Sequence, residues 1–245
     1  MSADTFSRIA GTYAQFRPRY PRELFDALAS LAPQRTLAWD CATGSGQAAS
    51  ELVNVVERVV ATDRSTELLA QAAPHPRIEY RVADALASGL EDHSVGLITV
   101  ANALHWFAGP AFEREARRVA VAGGVVAAWG LSIQSITPPL DAVLTRLHDE
   151  LLRPFWLDAN WIVHEGYRRL PFDFERLPPP PIAMHTSARL DELLGYLRTW
   201  SAVVKYREAR GLDPVSLVEA ELREHWGAEE RRTVHWRLGL VVGRV

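Results

Sequence analysis

Ala38-Trp39-Asp40-Cys41-Ala42-Thr43-Gly44-Ser45-Gly46-Gln47 joins a short apolar run to a helix-forming segment through a tight glycine turn. The apolar run, residues 36–39, ends in the acid Asp40, and residues 47–57 carry the helical pattern. Strand, glycine turn and helix at this spacing bring backbone N–H groups to the carboxyl edge of a parallel sheet, where a ligand can approach them. Glycine suits the turn because a Cβ would block either the approach or a positive φ. A second acid, Asp63, ends the next apolar run, residues 59–62, where it is placed to hold a ribose. The chain is therefore expected to bind a nucleoside-containing cofactor.

Outward from this stretch, strand and helix patterns alternate. Leu24, Leu28 and Leu31 have helical spacing. Strands are expected over 36–40, 58–63, 78–82, 97–101 and 125–129. Helices are expected over 47–57, 66–72 and 110–121, the last opening on Pro110 and closing on Gly123-Gly124. Such alternation implies βαβ units with right-handed crossovers. It breaks after Gly130. A helix over 140–155 carries Leu140, Val143, Leu144, Leu147 and Leu151 on one stripe. An aromatic-rich stretch (156–170) and a proline run (178–181) follow, then helices over 190–207 and 214–226, with Asp213 as N-cap of the second. The chain closes in an apolar strand, 233–242. The expectation is an α/β, doubly wound, mostly parallel seven-stranded sheet with an antiparallel last strand. All 245 residues form one domain in this reading, with cap elements from about 1–22 and 132–226.

Composition narrows the function classes. The chain is 48% hydrophobic and 23% charged with a formal net charge of -3, so no bulk basic field draws nucleic acid. Cys41 is the one cysteine, which rules out an internal disulfide and leaves no second thiolate for a metal site; no His/Cys/Asp cluster has metal spacing. No secretory leader or membrane-spanning apolar run is visible, so a cytoplasmic protein, monomer or homodimer, acting on a small molecule is expected.

Gly44-Ser45-Gly46-Gln47-Ala48-Ala49 fits a dinucleotide fingerprint and by itself favours a nicotinamide cofactor. Other features favour a different nucleoside. Asp40 would repel a pyrophosphate but suits an ammonium or its water. Asp84, after the third strand, suits an adenine amine. Asn102, His105 and Trp106 stand together after the fourth strand, at the expected reaction edge.

On these residues, with Tyr13 to Pro21, Phe112 to Val119 and Tyr196 to Ser201, the sequence resembles the class I S-adenosylmethionine-dependent methyltransferases, and more narrowly the type 11 group that contains trans-aconitate methyltransferase. The resemblance implies S-adenosyl-L-methionine as cofactor. Its methionyl part would lie on Asp40, Ala42, Gly44, Gly46 and Gln47. Asp63, beside Arg64, would accept from the ribose, and Ala83, Asp84 and Ala85 would frame the adenine. Asn102 would meet the methionine end, and Tyr13, Arg17 and Tyr20 would close over it. Two positions depart from the family pattern: Ala42 and Gly96 replace a glycine and an acid.

A substrate pocket is expected from His105, Trp106, Trp161, His164 and Trp200, with Trp156 and Tyr167 in the same insertion. His105 is the candidate general base, because an unperturbed imidazole titrates near neutrality; the alternative is that it lines the pocket. The narrower resemblance suggests a carboxylate acceptor, for which Arg17, His105, His164 and Arg198 are candidate partners. A nicotinamide oxidoreductase and a non-catalytic binder of the same cofactor are the alternatives.

Overall fold

The computed structural model describes residues 16–245. Tyr13, and the part of the expected arm that precedes residue 16, lie outside the described residues. Strands β1 (Leu37–Cys41), β2 (Arg58–Asp63), β3 (Ile78–Val82), β4 (Val95–Ala101), β5 (Ala120–Ser135), β6 (Glu175–Leu177), β7 (Met184–Ala188) and β8 (Arg232–Arg244) form one sheet. The main path runs β3-β2-β1-β4-β5-β8-β6, and β7 pairs β8 beside it. β1 to β5 are parallel and β8 is antiparallel to β5. The seven-strand expectation fits the main path; β7 is an eighth strand. β6 and β7 share one edge of β8, β7 along Arg232–Trp236 and β6 along Val242–Arg244.

Successive residues of the central strands feed two cores, as the period of two requires. Ala38, Val59, Leu97, Val125 and Trp129 pack toward one face with helix α1 (Arg22–Leu31). Trp39, Val60, Ile98 and Val126 pack toward the other with Phe112, Ala116 and Val119 of α4 (Pro110–Val119). Between β1 and β4 the strand order reverses. Such a switch point opens a crevice at the carboxyl ends of the strands.

Helices are shorter than the sequence pattern implies. α2 (Gln47–Leu52) ends early because the following Val53, Val55 and Val56 are β-branched and are stiff at χ1 against a helical turn. α3 covers Thr66–Leu69. The helix expected over 140–155 is three elements: α5 (Pro138–Arg146), a π turn (Leu147–Leu151) and a 3-10 turn (Arg153–Phe155). After α6 (Asp158–His164), the helix expected over 190–207 is broken into α7 (Leu190–Arg198) and α8 (Ser201–Arg210). Thr199 Oγ donates to Tyr196 O at 2.6 Å at the break. The last helix, α9, covers Glu219–Trp226; Asp213 accepts from Val215 N at 3.3 Å and so caps the turn ahead of it, not the helix.

α6 lies unusually close to the sheet. A Cβ on Gly130 of β5 would come within 2.7 Å of Val163, and one on Gly239 of β8 within 2.5 Å of Gly166. These two glycines let α6 settle over the β5–β8 seam, which brings His164 to the carboxyl ends of the strands.

Candidate cofactor and acceptor site

The two strand ends at the switch point carry matching backbone bends. Ala42, after β1, has φ 55° and Asn102, after β4, has φ 53°. Glycine, which the resemblance leads one to expect at the Ala42 position, suits this bend: the conformation is left-handed, and an alanine there costs roughly 1–2 kcal/mol. Asn102 accepts the same bend more easily and is fixed from both sides. Its amide donates to Tyr20 Oη at 3.0 Å, and its carbonyl accepts from Leu131 N at 2.9 Å.

Asp40 is fully buried. It accepts from Thr43 Oγ and from Thr99 Oγ at 2.7 Å, the latter on the neighbouring strand. Burial lifts its pKa to about 6, against the opposing hydrogen bonds of Thr43, Thr99 and Ala49 N. In this geometry Asp40 braces the glycine loop from within. Gly44 and Gly46 both have positive φ, and Gln47 Nε2 donates to Arg17 O at 3.3 Å, tying the arm to the loop.

Asp63 stands at the opposite lip. One carboxylate oxygen accepts from Gly44 N at 2.8 Å and the other from Ser65 N at 2.9 Å. A carboxylate has about four lone-pair sites, so two remain for vicinal hydroxyls. Asp84 accepts from Leu86 N at 2.9 Å and pairs with Arg64 at 3.8 Å. Around it Val82 and Leu86 are 60% and 41% exposed, among the few large apolar side chains left open to solvent. An apolar lip with an acid beside it suits the edge of an adenine ring. Nothing lies within 4 Å of a Cβ placed on Gly44, so the loop's outer side is open to a ligand. The residues present thus fit S-adenosylmethionine: Asp63 for ribose, Val82 to Leu86 for adenine, and the Ala42–Gly46 loop for the methionyl part.

Beyond Asn102 and Leu131 a cavity of about 80 Å³ continues into the cap. Its walls include His105, Trp106, His148, Trp156, Asn160, His164, Tyr196 and Trp200, with Arg17 at the arm side. Trp161, expected in the wall, is not there. It packs edge-on behind His164 at 5.1 Å, with Arg153 over its other side at 5.8 Å. Tyr20, expected in a closing arm, is 7% exposed and wedged edge-on against Trp129 at 5.4 Å. It is core that holds Asn102. Arg17 does face the cavity, with its guanidinium carbon 5.4 Å from the Tyr196 ring centre. Arg198, a candidate partner for a carboxylate acceptor, is committed elsewhere, to Asp213 at 2.7 Å and Glu219 at 3.0 Å.

His105 is tied to Tyr167: its Nδ1 lies 3.1 Å from Tyr167 Oη, donating or accepting according to the imidazole tautomer. Burial, with His164 adding to it, holds its pKa down at about 3, so it is neutral at pH 7.

The sequence reading omitted His148, Asn160, Tyr196 and Ser201 from the pocket. A signal existed for His148: it falls on the apolar stripe of the 140–155 pattern, beside Leu144 and Leu147, and a polar residue on a buried face calls for an explanation.

Residues 39–128 match the family described as a methyltransferase domain. A solved structure from Anaeromyxobacter dehalogenans, described as a type II methyltransferase, is 43% identical, with a TM-score of 0.86 over 94% of this chain and 98% of that one. A Dictyostelium discoideum protein named as a methyltransferase is 28% identical over 89% of this chain and 85% of its own length. An uncharacterised methyltransferase of Mycobacterium tuberculosis is 34% identical over 49% of each chain. The chain belongs to the class I S-adenosylmethionine-dependent methyltransferases. That assignment replaces the nicotinamide reading and the non-catalytic alternative. Among the described residues no group of three or more His, Cys, Asp or Glu could hold a metal, and no helix is long and apolar enough to cross a membrane.

Proposed function

We propose that the methyl acceptor is a small organic molecule whose reacting end enters the cavity between Asn102 and the cap. The observation that carries this reading is the cavity itself. It opens at the carboxyl ends of β4 and β5, where the methionyl end of the cofactor is expected, and its volume suits a few heavy atoms and not a polymer. Bound S-adenosylmethionine supplies a methyl group on a sulfonium, and the transfer needs nucleophile, carbon and sulfur in line. The chain's part is to orient the acceptor and exclude water. Trp156 and Trp200 give flat apolar walls, and the His105 imidazole and Asn160 give polar contacts. In this reading the chain works as one domain, with residues 132–226 as the cap that selects the acceptor.

A carboxylate acceptor is the second reading, and Arg17 is the observation that favours it. His105 and His164 are neutral at pH 7, and among the described residues Arg17 brings a guanidinium to the cavity wall. Labelled methyl transfer to di- and tricarboxylates, fatty acids, phenols and amines separates the two. If carboxylates are the substrates, Arg17→Gln raises KM for them about 10-fold or more, the cost of a charged hydrogen bond. Turnover confined to proteins or nucleic acids overturns the small-molecule reading.

A further inference from the structure

The cap holds a chain of hydrogen-bonded groups, running from the half-exposed Asp149 through the buried His148 to His164, for which simple orientation of an acceptor has no use. His148 sits in the π turn Leu147–Leu151, a rare geometry that recurs at functional sites. Its Nδ1 is 2.6 Å from Asp149 Oδ1, and its Nε2 is 3.2 Å from Nε2 of His164. Nδ1 of His164 is buried with no hydrogen-bond partner among the described residues. Three indoles fix these rings. Trp156 is 4.9 Å and Trp200 5.6 Å from the His148 ring, and Trp161 backs His164.

Hydrogen accounting gives this arrangement a direction. Asp149 is acceptor-only, so His148 Nδ1 carries a proton and its Nε2 offers a lone pair. His164 Nε2 must then donate to it, which leaves His164 Nδ1 a bare lone pair. Both imidazoles line the cavity. His164 is thus an oriented acceptor waiting for a donor, at the place where the methyl acceptor is proposed to bind.

The geometry points to a proton relay in which His164 Nδ1 is the general base for a hydroxyl acceptor on a planar, phenol-like or enol-like body, with His148 and Asp149 as positioning residues behind it. The inference rests on the cavity being the acceptor site. The acceptor's O–H bond breaks and its proton goes to His164 Nδ1. The oxygen's electron pair forms the new bond to the methyl carbon, and the carbon–sulfur pair leaves with sulfur. As His164 gains that proton it passes the one on Nε2 to His148 Nε2, so the cation ends on His148 beside Asp149. Atoms and charge balance: a neutral acceptor and a sulfonium become an ether, a thioether and one imidazolium.

Burial lowers the pKa of both histidines, His164 to about 3 with His148 adding to it, so both rest neutral at pH 7; the same burial opposes the imidazolium that the relay forms, and Asp149 acts on each in the opposite direction, favouring the cation. The other groups facing the pair are the neutral His105, Arg17 across the cavity, and Arg153 over Trp161. A carboxylate is already ionised at neutral pH and needs no base, whereas a phenol needs one. The indole walls suit a planar body. The relay therefore favours hydroxyl over carboxylate acceptors.

The test has two arms. Nitrogen-15 NMR of histidine-labelled protein with S-adenosylhomocysteine reads the tautomers at pH 7. The expected pattern is a protonated Nδ1 on His148 and a protonated Nε2 with bare Nδ1 on His164. Asp149→Asn, a change at a half-exposed side chain, is expected to disturb the His148 pattern. A protonated Nδ1 on His164 overturns the relay whether or not any acceptor has been found. In the second arm, phenols of graded acidity are offered as acceptors. His164→Gln is expected to lower kcat about 100-fold or more, with the loss shrinking for the more acidic phenols and S-adenosylhomocysteine affinity unchanged. Full turnover by His164→Gln overturns the relay. Wild-type turnover of carboxylates alone overturns the hydroxyl acceptor while leaving the cavity as acceptor site. Absence of wild-type turnover on every small molecule counts against the cavity reading, separately from the tautomer result.

Discussion

At the scale of single residues, the site depends on a few side chains whose surroundings change what they do. Ala42 holds a left-handed conformation that glycine adopts without a Cβ penalty. Ala42→Gly is expected to stabilise the fold by about 1 kcal/mol in urea unfolding; a loss of stability would contradict the strain account. Asp40 has its pKa raised by burial to about 6, from an ordinary 3.8. The folded chain thus binds this proton more tightly than the unfolded chain does. Its contribution is fully present below about pH 4 and is lost as pH rises through 6. Measured against Asp40→Asn, wild-type stability should fall by about 1–3 kcal/mol between pH 4 and pH 7, and a pH-independent difference would refute the buried-brace role. Asp63 is the ribose candidate, and Asp63→Asn should weaken S-adenosylhomocysteine binding by about 1–3 kcal/mol in calorimetry. Unchanged affinity would move the ribose elsewhere. The acids and glycines of this edge were legible in the sequence because strand ends and turns are local. That Asp40 faces Thr99 was not, because the contact joins residues 59 apart in sequence.

At the scale of elements, periodic apolar patterns located most helices and the five parallel strands, and the errors have physical causes. β6 (Glu175-Arg176-Leu177) and β7 (Met184 to Ala188) are short, polar edge strands with no pattern of their own; β8 recruits them. The π turn continues the apolar stripe of α5, so its sequence reads as unbroken helix, yet it sets the orientation of His148. The break between α7 and α8 leaves Trp200 and Ser201 at the cavity wall. Gly195 of α7 is where the arm docks: a Cβ there would lie 2.5 Å from the Phe16 ring. Gly195→Ala is expected to push Phe16 off α7 and raise amide hydrogen exchange in residues 16–21, with Arg17 displaced from Tyr196. Unaltered exchange in that peptide would show that the arm is anchored by other contacts.

For the whole molecule, strands from both halves of the sequence converge on one sheet, and the switch point between β1 and β4 places the proposed cofactor edge beside the proposed acceptor cavity. The proposed cofactor half is legible from Asp40 to Asp84 as a candidate because nearly all of it lies at strand ends within one continuous stretch. The proposed acceptor half is legible only as an aromatic-rich insertion, because its wall is assembled from the arm, the turn after β4, β5, α6, α7 and the π turn. Tertiary packing decides which of its tryptophans face inward: Trp156 and Trp200 do, and Trp161 does not. The central claim is that these two halves meet at the transferred methyl group. A crystal structure of the S-adenosylhomocysteine complex tests it most directly. The account predicts the ribose on Asp63, the adenine between Val82 and Leu86, and the sulfur facing the cavity between Asn102 and His164. A sulfur turned away from that cavity, or a cap that closes it off from the bound cofactor, would contradict the account.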